Sequence, residues 1–294
     1  MSADALHDAE VESPRRAARR RLGPVTRALL SPSGVALLLL ALCAIFADRL
    51  TPYGEAEINP LRSLEPPSRD HLMGTDMFGR DMLTRVLHGA RLSLTIGLCS
   101  AGIGAAIGLL VGMAAGYFGR WTDGVAMRVV DVLLAFPGTL LAMVIVAMLG
   151  PSVTNLILAV GIASVPGYAR LVRSLTLSIK QADYVLAARS IGCRSSWIVT
   201  RHIYPNLRAS VVVYATLNIA TAILTAAGLG FLGLGSKPPT AEWGLMVADG
   251  RDTLEIAWWV TAFPGIAILL TTLVIYTFGE RLNASLDPKR RSAG

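Results

Sequence analysis

The sequence predicts an all-α polytopic membrane protein with six transmembrane helices, and three observations predict it. The chain is 53% hydrophobic and only 16% charged over 294 residues. Its apolar residues collect into runs of about 20, the number a helix needs to cross a bilayer's hydrocarbon core. Its basic residues fall in alternate gaps between those runs, as the positive-inside rule requires. A formal net charge of +7 could serve nucleic acid, but charge set out this way orients a chain in a bilayer, so no nucleic-acid partner is expected.

The first span is expected at residues 29–47. It follows Arg15, Arg16, Arg19, Arg20 and Arg21, an order that looks like a secretory signal. The run is longer than a signal core, lacks an A-x-A site, and has a bulky Leu42 ahead of Cys43. A retained span behind a basic cytoplasmic tail over 1–28 is therefore expected. The segment that completes this unit to residue 91 is rich in proline and charge. Further spans are expected at 92–116, 132–149, 155–174, 210–233 and 258–278, giving a five-helix core over 92–280 and a short cytoplasmic tail over 281–294. Pro137 and Pro166, inside the third and fourth spans, are expected to kink them and free backbone carbonyls.

Orientation follows from charge. With the N-terminus inside, the inner segments and adjoining span ends hold 19 of the 27 Lys and Arg, whereas the outer segments hold 8, diluted by 11 of the 20 acidic residues. Both termini are thus expected in the cytoplasm. The two outer loops, 48–91 and 235–257, read either as solvated connectors or as surfaces for a partner to grip, the second through Trp243 and Pro238-Pro239.

Several chemistries are excluded. Gly228 to Gly233, "GLGFLG", has dinucleotide-site spacing but ends a membrane span instead of linking a strand to a helix, so close packing of small residues explains it better. The sequence contains no G-x-x-x-x-G-K-[ST] loop and no H-E-x-x-H, and His7, His71, His88 and His202 all lie outside the predicted spans. No catalytic residue, metal site or ATP site of its own is expected. Asp123 and Asp131 sit at the inner edge of the third span, which disfavours an ion-driven pump, because such pumps bury ionisable groups at mid-membrane. Cys43, Cys99 and Cys193 form no pairing pattern.

What remains is a polar stretch between the fourth and fifth spans, "ADYVLAARSIGCRSSWIVTRHIYPN", residues 182–206. It reads as a short helix with Tyr184, Ala187, Ala188 and Ile191 on one face, ended at Gly192. Ser195 or Ser196 is expected to cap a second helix from Trp197, and Pro205 to punctuate its far end. A basic loop lying on anionic headgroups is the plainer alternative. Asn218, Thr221 and Thr225 recur on one side of the fifth span, as a channel lining or as hydrogen bonds to a neighbouring helix.

Ala187, Ala188, Gly192 and Pro205 resemble the "EAA" loop of the membrane subunits of bacterial ABC importers, with Leu186 in place of the usual glutamate. "HLMGTDMFGRDMLTRVLHGARLSLTIG" from His71, "GFLGLGSKPPTAEWGLMVADGRD" from Gly230 and "FPGIAILLTTLVIYTFGERLNASLDPK" from Phe263 are similar to the C-type permeases of dipeptide, oligopeptide, nickel and glutathione importers. This resemblance implies a type I ABC importer permease fold in a bacterial inner membrane. It implies one half of a heterodimer with a B-type permease, two P-loop ATPase subunits that bind ATP and magnesium, and an extracytoplasmic solute-binding protein. The short helix becomes a coupling helix, with Asp183, Tyr184, Ala187, Ala188, Arg189 and Gly192 as its ATPase contact. The resemblance also marks Gly74, Thr75, Asp76, Gly79, Arg80 and Asp81 as an extracytoplasmic motif. That motif is either a local Asp-Arg turn or a contact with the binding protein.

Overall fold

A computed structural model describes residues 24–286. The expected basic tail up to residue 23, and residues 287–294 of the closing tail, lie outside the described residues. Among the described residues regular structure is helical, and one isolated bridge joins Thr75 to Asp81.

The helices run in order as α1 (Pro24–Leu29), α2 (Pro32–Ile45), α3 (Ala47–Leu50), α4 (Met82–Phe118), α5 (Arg120–Leu134), α6 (Gly138–Leu149), α7 (Val153–Lys180), α8 (Asp183–Ser190), α9 (Ser195–Ile198), α10 (Tyr204–Phe231), α11 (Trp243–Gly250) and α12 (Trp259–Leu286). α4, α7, α12 and the continuous run Ser195–Phe231 are each long and apolar enough to cross a membrane, and α5 with α6 passes the same test only when the bent pair is taken together.

Four of the six expected spans are matched directly by α4, α7, the run ending at Phe231 and α12, and the first and third differ in form. Residues 29–47 do not form one helix. Ser31, held extended ahead of Pro32, caps α2 by accepting from the Gly34 amide at 3.2 Å, and α2 has only 14 residues. The third span, expected at 132–149, is α5 and α6 meeting at a 91° bend across Ala135–Pro137. Proline disfavours helix at Phe136, so the anticipated kink is a break. Pro166, by contrast, sits inside an unbroken α7.

α4 starts ten residues before the expected 92. Arg85, His88 and Arg91 made its first turns look like loop, but each is satisfied by protein. Arg85 donates to the carbonyls of Glu55 and Pro239, both at 3.1 Å. His88 meets the Thr84 carbonyl and the Asp48 carboxylate, both at 2.9 Å, and Arg91 donates to Asp48 at 2.9 Å. These donors, Arg91 first and His88 second, hold the Asp48 carboxyl below its usual range.

The centre of the bundle is the seam between α4 and α7. Ser100, Gly104, Gly108, Gly112 and Gly116 recur every fourth residue along one face of α4. A Cβ at Gly112 would lie 2.5 Å from the Ala169 carbonyl oxygen, and one at Gly116 would lie 2.7 Å from Thr176 Cβ. Only hydrogen fits there, so the two backbones approach closely and dispersion replaces the hydrophobic drive that lipid removes. Around this seam three clusters of buried side chains fill the two ends and the middle.

The "GLGFLG" stretch closes α10. Gly233, at φ +78, sends its amide to the Gly230 carbonyl at 2.9 Å, while Leu234 reaches back to Leu229 at 2.9 Å. This is the paired hydrogen-bond cap that favours glycine. The segment after it folds back as α11, seated against α10 and α12. Trp243 is consequently 2% exposed, with its indole donating to the Val86 carbonyl at 2.9 Å. It is a core anchor, which corrects its reading as a grip for a partner.

The seam makes a signed prediction. Gly112→Leu should cost about 2–3 kcal/mol by overpacking. Gly102→Ala, on an exposed helical position with open space beside it, should be neutral or stabilising by up to about 1 kcal/mol. Thermal unfolding of the two variants in the same detergent checks both signs.

Candidate functional site

Three places gather the residues singled out from the sequence. The first is the segment 74–81, folded as a clasp over the start of α4. Gly74 and Gly79 have φ +73 and +72, and at Gly79 a Cβ would collide with the Asn59 carbonyl, so both positions require glycine. Asp76 accepts from the amides of Phe78 at 2.8 Å and Arg80 at 3.0 Å, and its other oxygen meets Arg80 Nε at 2.6 Å and Arg85 Nε at 3.6 Å. Asp81 caps α4 through the amide and hydroxyl of Thr84 at 2.8 and 2.7 Å, and meets His71 Nδ1 at 2.9 Å. The Thr75 carbonyl accepts from the Trp259 indole at 3.0 Å, which ties the clasp to α12.

Thr75, Asp76, Arg80 and Asp81 are all buried. Their geometry is the local Asp-Arg network, and they present little surface to another protein. Further along α4, beside Ser93, Glu242 caps α11 by accepting from the Gly244 and Leu245 amides at 2.8 and 2.9 Å. Burial pushes its carboxyl up, and these amide donors oppose the shift only in part. Burial likewise raises Asp249, against the pull of Arg85.

The second place is a cleft of about 340 Å³ between the α5–α6 bend, α7 and α10. It brings Asn218, Thr221 and Thr225 together with Thr139, Ser164 and Tyr214. Every side chain lining it among the described residues is neutral. The Asn218 amide oxygen is buried without a hydrogen-bond partner among the described residues, an arrangement that costs about 1–3 kcal/mol until a donor reaches it. Tyr214 was missed in the sequence, although it stands four residues before Asn218 and extends the same polar row. Ser164 and Thr139 join only because α7 and the bend bring them alongside, and no pattern within one helix marks them.

The third place is α8 and the turn after it. Gly192, at φ +82, and Cys193 donate to the carbonyls of Arg189 and Ala188 at 3.0 and 3.1 Å, the paired cap that ends a helix. Val185 and Ala188 turn into the bundle at 0% and 7% exposure. Ala188 thus leaves the single face expected of it, because the i, i+3 pair Val185 and Ala188 is what anchors the helix. The opposite face is bare: Tyr184 at 46%, Leu186 at 45% and Ile191 at 80% are exposed, with Asp183, Ala187, Arg189 and Gly192 around them.

Two further expectations change here. The second helix starts at Ser195 after Arg194, without a side-chain cap from Ser195 or Ser196. Pro205 does not end it. A π turn over Val199–Ile203 joins α9 to α10 in one continuous run, and Pro205 lies just after it, where the altered winding accommodates a residue with no amide to donate. α8 and α9 are held to the π turn by the Tyr184–His202 and Trp197–His202 ring contacts, with centroids 5.7 and 4.9 Å apart, and Asn206 of α10 donates to the Tyr184 hydroxyl at 3.4 Å.

With this geometry in hand, comparison with known proteins is specific. A model of the family described as binding-protein-dependent transport system inner membrane component matches residues 108–292. The chain is 46% identical over 251 residues to the dipeptide transport system permease protein DppC of Alkalihalophilus pseudofirmus, covering 85% of this chain and 83% of that one. It is 44% identical to the di/tripeptide transport system permease protein DppC of Pseudomonas aeruginosa, covering 87% of each. It is 42% identical to the glutathione transport system permease protein GsiD of Pectobacterium atrosepticum, covering 98% and 95%. Among solved structures, an inward-facing MetNI methionine ABC transporter superposes with a TM-score of 0.57 at 19% identity, covering 70% of this chain and 98% of that one. The shared architecture is the type I ABC importer permease fold.

The clasp and its neighbour generate two predictions. Asp76→Asn takes the ion-pair partner from buried Arg80 and leaves Arg85 with the more distant Asp249, and should cost about 3–5 kcal/mol, read as a lowered unfolding temperature in detergent. Glu242 is held above the usual glutamate range, so its folded form binds the proton more tightly. Its contribution to stability is present at pH below the ordinary glutamate value and is lost as pH rises through the raised one. Glu242→Gln should flatten that decline in a pH series of unfolding temperatures.

Proposed function

Because the chain belongs to the family of binding-protein-dependent transport system inner membrane components, we propose that it is a permease subunit of an ATP-driven importer of dipeptides or oligopeptides. It forms one half of the path, a homologous B-type permease forms the other, and two P-loop ATPase subunits supply ATP and magnesium, with no ATPase site in this chain. An extracytoplasmic binding protein delivers the solute. Both termini lie in the cytoplasm of a bacterium, on the inner side of its membrane.

The observation that carries this reading is the bare face of α8. A helix of eight residues set between two spans, with its inner side buried and its outer side exposing Tyr184 and Leu186 beside Asp183 and Arg189, suits a snug contact that forms and separates. Asp183, Tyr184, Ala187, Arg189 and Gly192 make that contact with the ATPase, Ala188 seats the helix, and Pro205 starts the span that follows. Closure of the ATPase pair moves α8, and the helices attached to it rock between inward-open and outward-open forms.

The cleft supports the path. Hydroxyl, phenol and amide groups facing open space at membrane depth would be costly against lipid. They are suited to a water-filled route closed by a second permease. A neutral lining binds no particular side chain strongly, which fits solutes that share a peptide backbone and differ in the rest. Selectivity then lies chiefly in the binding protein.

Co-purification from native membranes through a C-terminal tag, followed by an ATPase assay, tests the whole reading. Recovery of a second permease and P-loop ATPases, with hydrolysis raised by binding protein plus peptide, is expected. A chain that purifies alone and passes solute through liposomes without ATP would overturn it. Gly192→Arg should abolish ATP-driven uptake while membrane insertion stays intact. The space beside the position is open, although φ +82 adds a local backbone strain of about 1 kcal/mol, and the new charge stands at the proposed contact.

A further inference from the structure

Three helix ends converge on Tyr117, a residue that neither the motif nor the cleft includes. It is the penultimate residue of α4 and is 6% exposed, packed with Val172 of α7, Val185 and Ala188 of α8, and Ile203. Its carbonyl is one of the last four of α4, which have no donor inside the helix. Lys180, the last residue of α7, donates to it at 2.5 Å. The Lys180 ammonium also lies 5.7 Å from the centroid of the Tyr117 ring, and the Arg189 guanidinium of α8 lies 5.8 Å from it. One ring thus receives a cation from each of the two elements that flank α4's end.

We infer that Tyr117 is the positioning residue that locks α8 to the α4–α7 pair, so that a displacement of α8 moves both helices together. The inference rests on the reading of α8 as the ATPase contact. Apolar packing alone through Val185 and Ala188 would let a short helix slide or roll against the bundle, since dispersion has little directional preference. A guanidinium held over an aromatic face adds direction, because the attraction is to the ring's quadrupole. The backbone bond from Lys180 fixes where that ring stands. Arg189 then acts inward as well as outward, which accounts for an exposed arginine lying over a buried tyrosine.

The test uses the assembled transporter in proteoliposomes, with its partner permease, ATPases, binding protein and a dipeptide, reading dipeptide imported per ATP hydrolysed. Tyr117→Leu and Arg189→Gln should each lower that ratio about fivefold, the size of one cation–π contact. Tyr117→Phe, which keeps the ring, should stay within about twofold of the parent. The double variant should fall no further than either single one, as expected of two groups in one interaction. Arg189 is exposed, so its variant folds even where Tyr117→Leu empties space in the cluster. Losses that multiply in the double variant, a phenylalanine as damaging as leucine, or an unchanged ratio in Arg189→Gln would each overturn the lock while leaving the importer reading in place. A parent complex with no ATP-driven uptake would overturn the reading itself, and the lock with it.

Discussion

The seam between α4 and α7 is the constraint on which the rest of the molecule depends. In lipid, two apolar helices gain nothing from leaving a solvent as apolar as themselves, so they stay together only if they fit. Glycine at 104, 108, 112 and 116 supplies that fit, and Ser100 adds a hydrogen bond to the Ile157 carbonyl at 3.1 Å. With this pair fixed, α10 and α12 have a rigid surface to pack upon, and the bent α5–α6 can stand away from it far enough to leave a cleft. α8 inherits its place from the same pair, because it docks where their ends meet.

Polar groups do a different job at each level of the bundle. At the end with the clasp they are buried and matched, carboxylate to guanidinium and indole to carbonyl, which holds three loops to α4. In the cleft they are neutral and incompletely matched, Asn218 most plainly. At the α8 end they are arranged around aromatic rings, where His202 and Tyr117 each receive more than one neighbour. Buried matching, incomplete matching and ring contacts thus place different chemistry at three levels of one chain of helices.

How much of this was legible beforehand depends on the range of the interaction. The spans at α7, α10 and α12, the short helix at 183–190 and its end at Gly192 all follow from hydropathy and local backbone preference, which sequence displays directly. The clasp residues were visible as a motif, yet their burial was not, because it depends on Trp259 and Pro239 arriving from far along the chain. Hydropathy failed at the start of α4 for the same reason: Arg85 looks like a loop residue until its carbonyl partners are in place. The single face expected of α8 failed at Ala188, where packing chose a different pair. The glycine row in α4 was open to reading at its four-residue spacing and would have identified the seam. Tyr214, likewise, was available from the spacing of the row that was noticed.

The length of α4 has a mechanical consequence. Its 37 residues make a rod of about 55 Å, roughly twice the thickness of the bilayer's hydrocarbon core. One end is pinned by Asp81 within the clasp and the other by Lys180 at Tyr117, so neither end frays. A beam pinned at both ends and supported along one side by α7 is stiff against bending and free mainly to tilt or twist as a unit. A load applied at one end of such a rod would reach the other with little lost on the way, so the coupling proposed for α8 needs no second element to span the bundle.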